Sequence, residues 1–301
     1  MRLWIDTHRD SFFGNMLPPG GYFTHSEATA RGEGMSALCV LVFGATNNDT
    51  LTINTNGQIQ APKCLVHGNK TIRVGPGGQI QAMKVEASGS SSGFTAPAAD
   101  VGGPTTPDPF SGLNVNFPSA CPGSGSNTSI STNTTLNLGV HCGDYTVTNS
   151  NTLRLGPGEH YFGGNLNMHN TSQLVGDDVV LVFDANHGIN VNGAPVISLS
   201  GRQSGPLAGF VMIANRTNTG SFNLQSDYIS KITGTVYAPN SQLIVAGSAK
   251  SAQQSDWTVL AAKSFIINGS PQLVINANYE GSKVPVPNGV GNTTSHLALT
   301  R

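Results

Sequence analysis

Charge is scarce in this sequence, and its scarcity excludes several classes of protein. Charged residues make up 10% of the 301 residues, against roughly 25% in an average globular protein. The formal net charge is −1, and no cluster of Lys and Arg offers the phosphate attraction that dominates nucleic-acid binding. Intrinsic disorder requires high net charge and low hydrophobicity, whereas this chain carries many short apolar runs. We therefore expect a folded protein without a nucleic-acid partner.

Long apolar segments are also lacking. No stretch approaches the 18 or so consecutive apolar residues of a membrane-spanning helix, so we expect no membrane span in this chain. The first six residues lack the apolar core of a secretory signal, which taken alone indicates a cytosolic protein. Four cysteines indicate the opposite, because paired cysteines persist in oxidising compartments.

Helical periodicity is absent as well. Apolar residues nowhere recur at i, i+3, i+4 and i+7 over three turns, and Gly or Asn interrupts nearly every window. Clusters of Gly, Asn and Ser instead bound short apolar runs that are typical of strands. Examples are residues 179–183 (VVLVF), 209–213 (GFVMI) and 265–267 (FII). The sequence predicts an all-β fold.

Internal repetition indicates the kind of β fold. Residues 58–63 (QIQAPK) return 21 residues later as residues 79–84 (QIQAMK). Further on, a short strand followed by a polar turn recurs, with starts separated by 21, 23, 33, 21 and 22 residues. The long interval contains a loop-like insertion at residues 200–207. The strands begin at Tyr145, Leu166, Ile189, Phe222, Leu243 and Phe265.

A period of 21 to 23 residues suits one coil of a β-helix, or β-solenoid. We predict a single-chain right-handed parallel β-helix, since that hand is the default for parallel crossovers. Roughly eleven coils at the usual strand spacing would form a rod about 50 Å long. Stacked inward asparagines would add amide ladders. The alternative is a β-sandwich, whose strands recur about every 8–12 residues.

The β-helix is expected to span residues 37–280. Residues 1–36 are interpreted as an N-terminal extension, the remnant of a preceding region, and residues 281–301 as a detached or disordered tail. Residues 88–119 are too rich in Gly, Ser and Pro for coils and predict a long surface insertion. The inward rows are expected to include Ile53, Ile59, Ile80, Val147, Met168, Val191, Leu224, Val245 and Ile267.

An adjacent carboxylate pair, Asp177 and Asp178, is the best evidence for a polysaccharide-active enzyme. Glycoside hydrolysis uses two carboxylates, and in a β-helix the partner would come from a neighbouring coil. The corresponding residues 154–157 and 198–201 hold no carboxylate, and the nearby acids Glu159 and Asp184 lie out of register. We interpret the pair as a turn before the strand at 179–183 and predict no catalytic residue.

Metal and cofactor motifs are likewise missing from the sequence. The eight histidines are scattered, and none forms an H-x-x-x-H pattern, nor do the cysteines form C-x-x-C. Residues 75–78 (GPGG) lack the Lys-Ser/Thr that would follow in a phosphate-binding loop. We expect neither a metal nor a cofactor.

Several landmarks occur in an order that resembles a known family. They are a Leu-Cys strand at 37–41, Ala-Pro-x-Cys at 61–64, an Asp-Pro loop at 108–110 followed by Pro118 and Cys121, a Pro-Gly segment reaching Tyr161, and Gly-Thr-x-Tyr-x-Pro at 234–239. The set resembles the C-terminal region of TadG-like proteins, which are associated with tight-adherence (Flp) pilus assembly in bacteria. The match runs over roughly residues 10 to 280.

The departures from the family pattern concern the anchor, the Pro-Gly segment and the cysteines. The family's membrane-anchoring helix is missing, one extra residue precedes Tyr161, and residues 82–85 and 253–256 lack further cysteines that the family often carries. The resemblance implies export and a role at the cell surface or in the envelope. It implies no catalytic residues.

The leading hypothesis is a structural or adhesive extracytoplasmic module, associated with a pilus or the cell surface. Its partners would be other pilus or envelope proteins, further copies of itself, or surface glycans. Two alternatives remain open: a polysaccharide-active hydrolase or lyase, and a solenoid that passively binds carbohydrate or ice through a flat Thr/Asn/Ser face.

The four cysteines are predicted to form two disulfides, Cys39–Cys64 and Cys121–Cys142. The latter pair is separated by 21 residues, the repeat length, so the two residues would stack at the strand spacing of about 4.8 Å. That distance lies inside the window that a disulfide requires. The 25-residue separation of Cys39 and Cys64 is one coil plus a small loop, placed at residues 46–49.

Thiol counting on the denatured, unreduced chain is the measurement that checks this pairing. We expect no reactive thiol, because each bridge closes a loop of about 20 residues and stabilises the fold by about 2–4 kcal/mol. Four reactive thiols would refute both bridges and the oxidising compartment that they imply.

Overall fold

The computed structural model describes residues 2–9, 22–33, 36–44, 46, 50–118, 121, 125–225, 227–291 and 296–300. The chain divides into two compact units: residues 36–291 form one, and residues 1–35 with 292–301 form the other. Every regular element in the described residues is a strand, as the sequence predicts. No helix among them is long and apolar enough to cross a bilayer.

The smaller unit contains a three-stranded antiparallel sheet. Strand β1 (Arg2–Arg9) pairs with β2 (Tyr22–Glu33), and β2 pairs in turn with β28 (His296–Thr300). Residues 1–36, predicted to be an extension, thus contribute two strands of a sheet whose third strand comes from the opposite end of the chain.

The larger unit is a parallel β-solenoid built from strands β3 to β27. The strands before residue 102 are β3 Leu38–Val42, β4 Leu51–Ile53, β5 Gln58–Gly68, β6 Ile72–Val74, β7 Gln79–Ala87, β8 Ser91–Ser92, β9 Thr95–Ala96 and β10 Asp100–Val101. Those after residue 127 are β11 Thr128–Ile130, β12 Thr134–Leu136, β13 Gly139–Cys142, β14 Tyr145–Val147, β15 Thr152–Leu155, β16 Gly158–Gly163, β17 Leu166–Asn170, β18 Gln173–Gly176, β19 Val179–Phe183, β20 Ile189–Gly193, β21 Val196–Ser200, β22 Phe210–Ala214, β23 Ser221–Gln225, β24 Ile229–Gly247, β25 Lys250–Ser251, β26 Thr258–Gly269 and β27 Gln272–Val274.

The pairings arrange these strands into three faces and ten coils. Face 1 consists, in stacking order, of β11, β14, β17, β20, β23, residues 242–247, residues 264–269, β4, β6 and β8. Face 2 consists of β12, β15, β18, β21, residues 229–233, β25, β27, residues 58–61, residues 79–82 and β9. Face 3 consists of β13, β16, β19, β22, residues 234–238, residues 258–262, β3, residues 65–68, residues 84–87 and β10.

The stacking order of the coils differs from the chain order. Coils 1 to 6 come from residues 128–262, and coils 8 to 10 come from residues 51–101. Coil 7 is composite: β26 and β27 supply faces 1 and 2, and β3 supplies face 3. The N-terminal coils therefore continue the stack beyond the C-terminal coil, and the chain ends of the solenoid lie beside coil 7.

The strand pairings confirm the predicted repeats, although the register of the hexapeptide repeat shifts after Ala61. Gln58 pairs with Gln79 in the register that the repeated hexapeptide predicts. The same holds for the series beginning at Tyr145, in which Leu166 opposes Ile189 and Leu243 opposes Phe265. The longest interval contains the loop at 201–209, between β21 and β22. Beyond the strand that begins at Phe265, the next strand in the stack begins at Leu51, which lies earlier in the sequence.

The lumen of the solenoid holds the main hydrophobic core. All nine residues predicted to point inward are buried, with at most 3% of their surface exposed. Aromatic rings line part of face 3 from the inside, where Phe162 stacks on Phe183 with ring centroids 5.2 Å apart. Corners between faces carry residues in the left-handed region, such as Asn149 and Asn170 at φ 57°, a conformation that Asn tolerates well.

Residues 88–119 differ from the predicted surface insertion in two ways. Residues 91–101 form β8, β9 and β10, the three short strands of coil 10. From residue 102 the chain must travel from coil 10 back to coil 1, and it does so along the outside of face 3. We call residues 102–118 the strap. It is packed rather than free, because its Phe110 is only 6% exposed.

The strap contacts the coils in order, from coil 8 to coil 2. Thr106 exchanges hydrogen bonds with the side chain of Asn69, which follows coil 8 (2.7 and 2.8 Å). Phe110 packs on Phe210 and Tyr237 at coils 4 and 5, and Phe117 packs on Tyr161 at coil 2. A second hydrophobic core thus lies between the strap and the outer side of face 3.

The C-terminal segment contributes to the same outer core. Residues 281–291 were expected to be detached or disordered, but Val284 and Val290 are buried in that core. The buried ring of Trp257 donates a hydrogen bond to the carbonyl oxygen of Val284 (3.1 Å). Val284 and Val290 bury against face 3, so that expectation is wrong for this part of the tail.

Candidate functional site

The first disulfide joins two neighbouring coils inside the lumen. Cys39 and Cys64 are fully buried, with their Cα atoms 5.5 Å apart. Cys39 lies in coil 7 at an irregularity where the register shifts between Leu38 and Val40. The predicted pairing on adjacent coils is confirmed. Residues 47–49 of the loop invoked to explain the longer spacing lie outside the described residues.

The second disulfide fastens the end of the strap path to coil 1. Cys121 and Cys142 are bonded as predicted, with Cα atoms 5.5 Å apart. The reason given for their pairing is wrong, because Cys121 belongs to no coil, and the residue that stacks on Cys142 is Gly163. A Cβ atom at Gly163 would lie 2.6 Å from Cys121 Sγ, so only glycine leaves room for the bridge. Both bridges are compatible with an extracellular location.

The carboxylate pair before β19 forms a turn, as interpreted from the sequence. Asp178 adopts a φ of 57°, and its carboxylate lies 2.5 Å from the Arg202 guanidinium. The same carboxylate accepts a hydrogen bond from the backbone N–H of Gln203 (2.7 Å). Asp178 therefore holds the loop at 201–209, while Asp177 faces solvent. In the described part of the chain, no three His, Cys, Asp or Glu side chains gather into a metal-binding group.

A polar cluster beneath the strap was missed by sequence reasoning. Asp108 of the strap accepts hydrogen bonds from Arg216 (3.0 Å) and from the hydroxyl of Tyr237 (2.7 Å). Burial, with help from the Asp108 carboxylate, raises the pKa of Tyr237 well above its ordinary value. The cluster joins the strap to face 3 through side-chain hydrogen bonds. Its members lie about 20 to 130 residues apart in the chain, so no local pattern reveals them.

Two histidines form a buried pair in the lumen, at the end formed by coils 1 and 2. His141 Nε2 lies 3.0 Å from His160 Nδ1, and His160 Nε2 donates to the carbonyl oxygen of Gly156 (2.8 Å). Burial, and to a smaller extent the neighbouring His160, lowers the pKa of His141 to about 4. Burial also lowers the pKa of His160, against the opposing effect of its hydrogen bond to Gly156. Both rings are therefore neutral and structural at pH 7.

The outer side of face 1 is the surface best suited to binding. Its central column has one outward residue per coil, and these side chains range from half-buried to exposed. Nine of the ten are uncharged, and the exception is Arg73. In stacking order the column is Ser129, Thr146, Asn167, Asn190, Asn223, Ile244, Ile266, Thr52, Arg73 and Ser92.

An amide ladder orders the polar half of this column. Asn190 donates to the side-chain oxygen of Asn167 (3.1 Å), and Asn223 donates to that of Asn190 (3.0 Å). The sequence predicted such ladders inside the lumen, which is wrong: at these positions the flanking Leu, Met, Ile and Val residues point inward and the asparagines point outward. The ladder fixes each amide, so its remaining donors and acceptors are presented at the coil spacing of about 4.8 Å.

The other two faces are less suitable for a neutral ligand. The corresponding column of face 2 carries Arg154 and Lys231, and the outer side of face 3 is covered by the strap and residues 279–290. Face 1 in contrast joins its ladder to two outward isoleucines, Ile244 and Ile266. It offers fixed hydrogen-bonding groups beside a small apolar patch.

No protein-family model, curated protein or solved structure matches the chain. Face 1 has amides and hydroxyls that bind by hydrogen bonding, and its central column contains no carboxylate or thiol for acid–base or nucleophilic chemistry.

Protonation of the buried histidine pair is expected to destabilise the fold in acid. The unfolded chain protonates near the ordinary histidine pKa of 6.5, whereas folded His141 resists protonation down to about pH 4. Stability should therefore fall as pH drops from 6.5 toward 4. Urea unfolding at several pH values should show this fall. His141→Gln should flatten it, whereas the matched variant His169→Gln, on an outward half-buried side chain, should retain it. An equal slope in wild type and His141→Gln would contradict the assignment.

Proposed function

We propose that this protein is a non-catalytic structural or adhesive module of the cell surface or envelope, and that face 1 is its binding surface. The ligand would be an extended, neutral, polyhydroxylated polymer such as a surface polysaccharide. Ten coils repeat at about 4.8 Å, so a polymer with regularly spaced hydroxyl groups can contact many coils at once. Multiple weak contacts of this kind add up to strong retention.

The observation that carries the proposal is the order of the face 1 column. Asn167, Asn190 and Asn223 are held by one another, which reduces the entropy lost when a ligand binds. Ile244 and Ile266 supply apolar surface for the C–H groups of a sugar ring. The nearly uncharged column avoids the cost of removing water from charges against a neutral ligand.

Two further observations support an extracytoplasmic location. The two disulfides fit an oxidising compartment, and the order of sequence landmarks resembles TadG-like proteins. Pilus or envelope proteins as partners follow from the resemblance alone. Several landmark residues, among them Asp108, Tyr161 and Tyr237, lie at the strap–face 3 interface, which supports an architectural role for these landmarks.

Retention on insoluble or immobilised neutral polysaccharides tests the proposal. Asn190→Lys should weaken retention about tenfold, equivalent to about 1.4 kcal/mol, because the lysine places a charge in the centre of the column. Ile266→Lys should act similarly and leaves the ladder hydrogen bonds in place. Both side chains point outward, so the unfolding midpoints should change little. Affinity electrophoresis across a panel of glycans is the measurement.

Ser198→Lys is the matched control, because Ser198 points outward from face 2 of the same coil as Asn190. Equal loss in this control, or retention of no neutral polysaccharide by wild type, would contradict the proposal. Release of soluble sugars that Asp177→Asn abolishes would favour an enzyme instead. Shaping of ice crystals without glycan retention would assign the same face to ice.

A further inference from the structure

The two ends of the solenoid are open strand edges. Among the described residues, β11, β12 and β13 pair only with the second coil, and β8, β9 and β10 pair only with the ninth. Edge strands present unpaired N–H and C=O groups that another chain can pair with. Terminal segments often cap solenoids, but the chain of this solenoid begins and ends beside coil 7, where Leu38 N–H bonds to Val290 O (3.0 Å).

Neither end carries the charges that usually protect exposed edges. Residues 125–142, which form coil 1, contain no Lys, Arg, Asp or Glu. Residues 88–103, which form coil 10, contain only Asp100. Natural edge strands are commonly blunted by lysines or inward-pointing charges, and these two ends lack that form of protection.

Apolar side chains are exposed at both ends. Phe94 and Val101, in coil 10, are each 57% exposed, and Leu138, in coil 1, is 64% exposed. These are among the largest exposures of big apolar residues in the described chain. Burying them against a partner would remove apolar surface from water.

The two ends also match each other. Each end has three parallel strands on the same three faces. The free strand edges of coil 1 face away from coil 2, and those of coil 10 face away from coil 9, so the two ends expose opposite edges of the strands. A second copy stacked on coil 10 would therefore continue all three faces with the same strand direction. Such a contact is heterologous and does not close, so it generates linear chains.

We propose that copies of this protein associate head to tail, with coil 10 of one copy pairing with coil 1 of the next. The strands of coil 10 are only two residues long, so each junction is weak and assembly depends on concentration. Ten coils at about 4.8 Å give an expected axial repeat of about 48 Å. This inference is independent of the ligand proposed for face 1.

Directed cross-linking tests the contact. In a continuous face 1, Ser92 of one copy would oppose Ser129 of the next. Full-length Ser92→Cys protein mixed with full-length Ser129→Cys protein should give a covalent heterodimer under mild oxidation, in clear excess over either homodimer. Preferential Ser92→Cys homodimers would show like-to-like end contact instead and would overturn the proposal. So would an absence of heterodimer at the highest soluble concentration.

Sedimentation of the otherwise wild-type chain gives a second readout. Val101→Lys and Leu138→Lys should each leave only monomers, because a head-to-tail contact needs coil 10 of one copy and coil 1 of another. A mixture of the two variants should stop at one heterodimer through the unmodified ends. Met83→Lys, which removes an exposed apolar side chain from coil 9, is the control and should assemble normally. Assembly that survives both end variants but is lost in Trp4→Lys would place the contact in the smaller sheet and overturn the proposal.

Discussion

Backbone pairing between the C-terminal and N-terminal coils of the solenoid is the interaction on which the rest of the structure depends. β26 pairs with β3 and β4, and β27 pairs with β5, so coil 7 is built from residues about 220 positions apart. Side chains reinforce the junction: Asn54 donates to Asn268 (2.8 Å), and Gln272 donates to Gln58 (3.1 Å). The Cys39–Cys64 bridge then ties the composite coil to coil 8.

The strap follows from this pairing. Because the N-terminal coils continue the stack beyond the C-terminal one, the chain must return from coil 10 to coil 1, about 43 Å at nine strand spacings. Face 3 receives the returning segment, and its outward residues are accordingly apolar, with Tyr161, Tyr237 and Val259 buried beneath the cover. The Cys121–Cys142 bridge fastens the lower end. With face 3 covered, the two other faces meet solvent, and their compositions differ. The central column of face 2 carries Arg154 and Lys231, whereas that of face 1 contains an asparagine ladder and a single charged residue, Arg73.

Much of this architecture was predictable from the sequence. The hexapeptide repeat at Gln58 and Gln79 and the series from Tyr145 to Phe265 set the coil length, the inward rows and the local register, because consecutive coils share a fixed offset. The stacking order was not predictable in the same way, since nothing in the Leu51 strand specifies that its neighbour is Phe265. The sequence prediction placed the asparagine ladder inside the lumen instead of outside. Alternation shows that two sets of residues lie on opposite sides of a strand, but it does not show which set faces the lumen until the apolar row is assigned to the core. The strap cluster of Asp108, Arg216 and Tyr237 is purely tertiary.

The composite coil is tested most directly by engineered cross-links on face 1. Thr52 and Ile266 oppose each other across coils 7 and 8, at a strand spacing of about 4.8 Å that permits a disulfide. The account predicts that Thr52→Cys/Ile266→Cys forms an intramolecular bridge on mild oxidation, whereas Ser92→Cys/Ser129→Cys forms none within one chain. An intramolecular Ser92→Cys/Ser129→Cys bridge, with the Thr52→Cys/Ile266→Cys thiols left free, would show that the coils stack in chain order and would contradict the account.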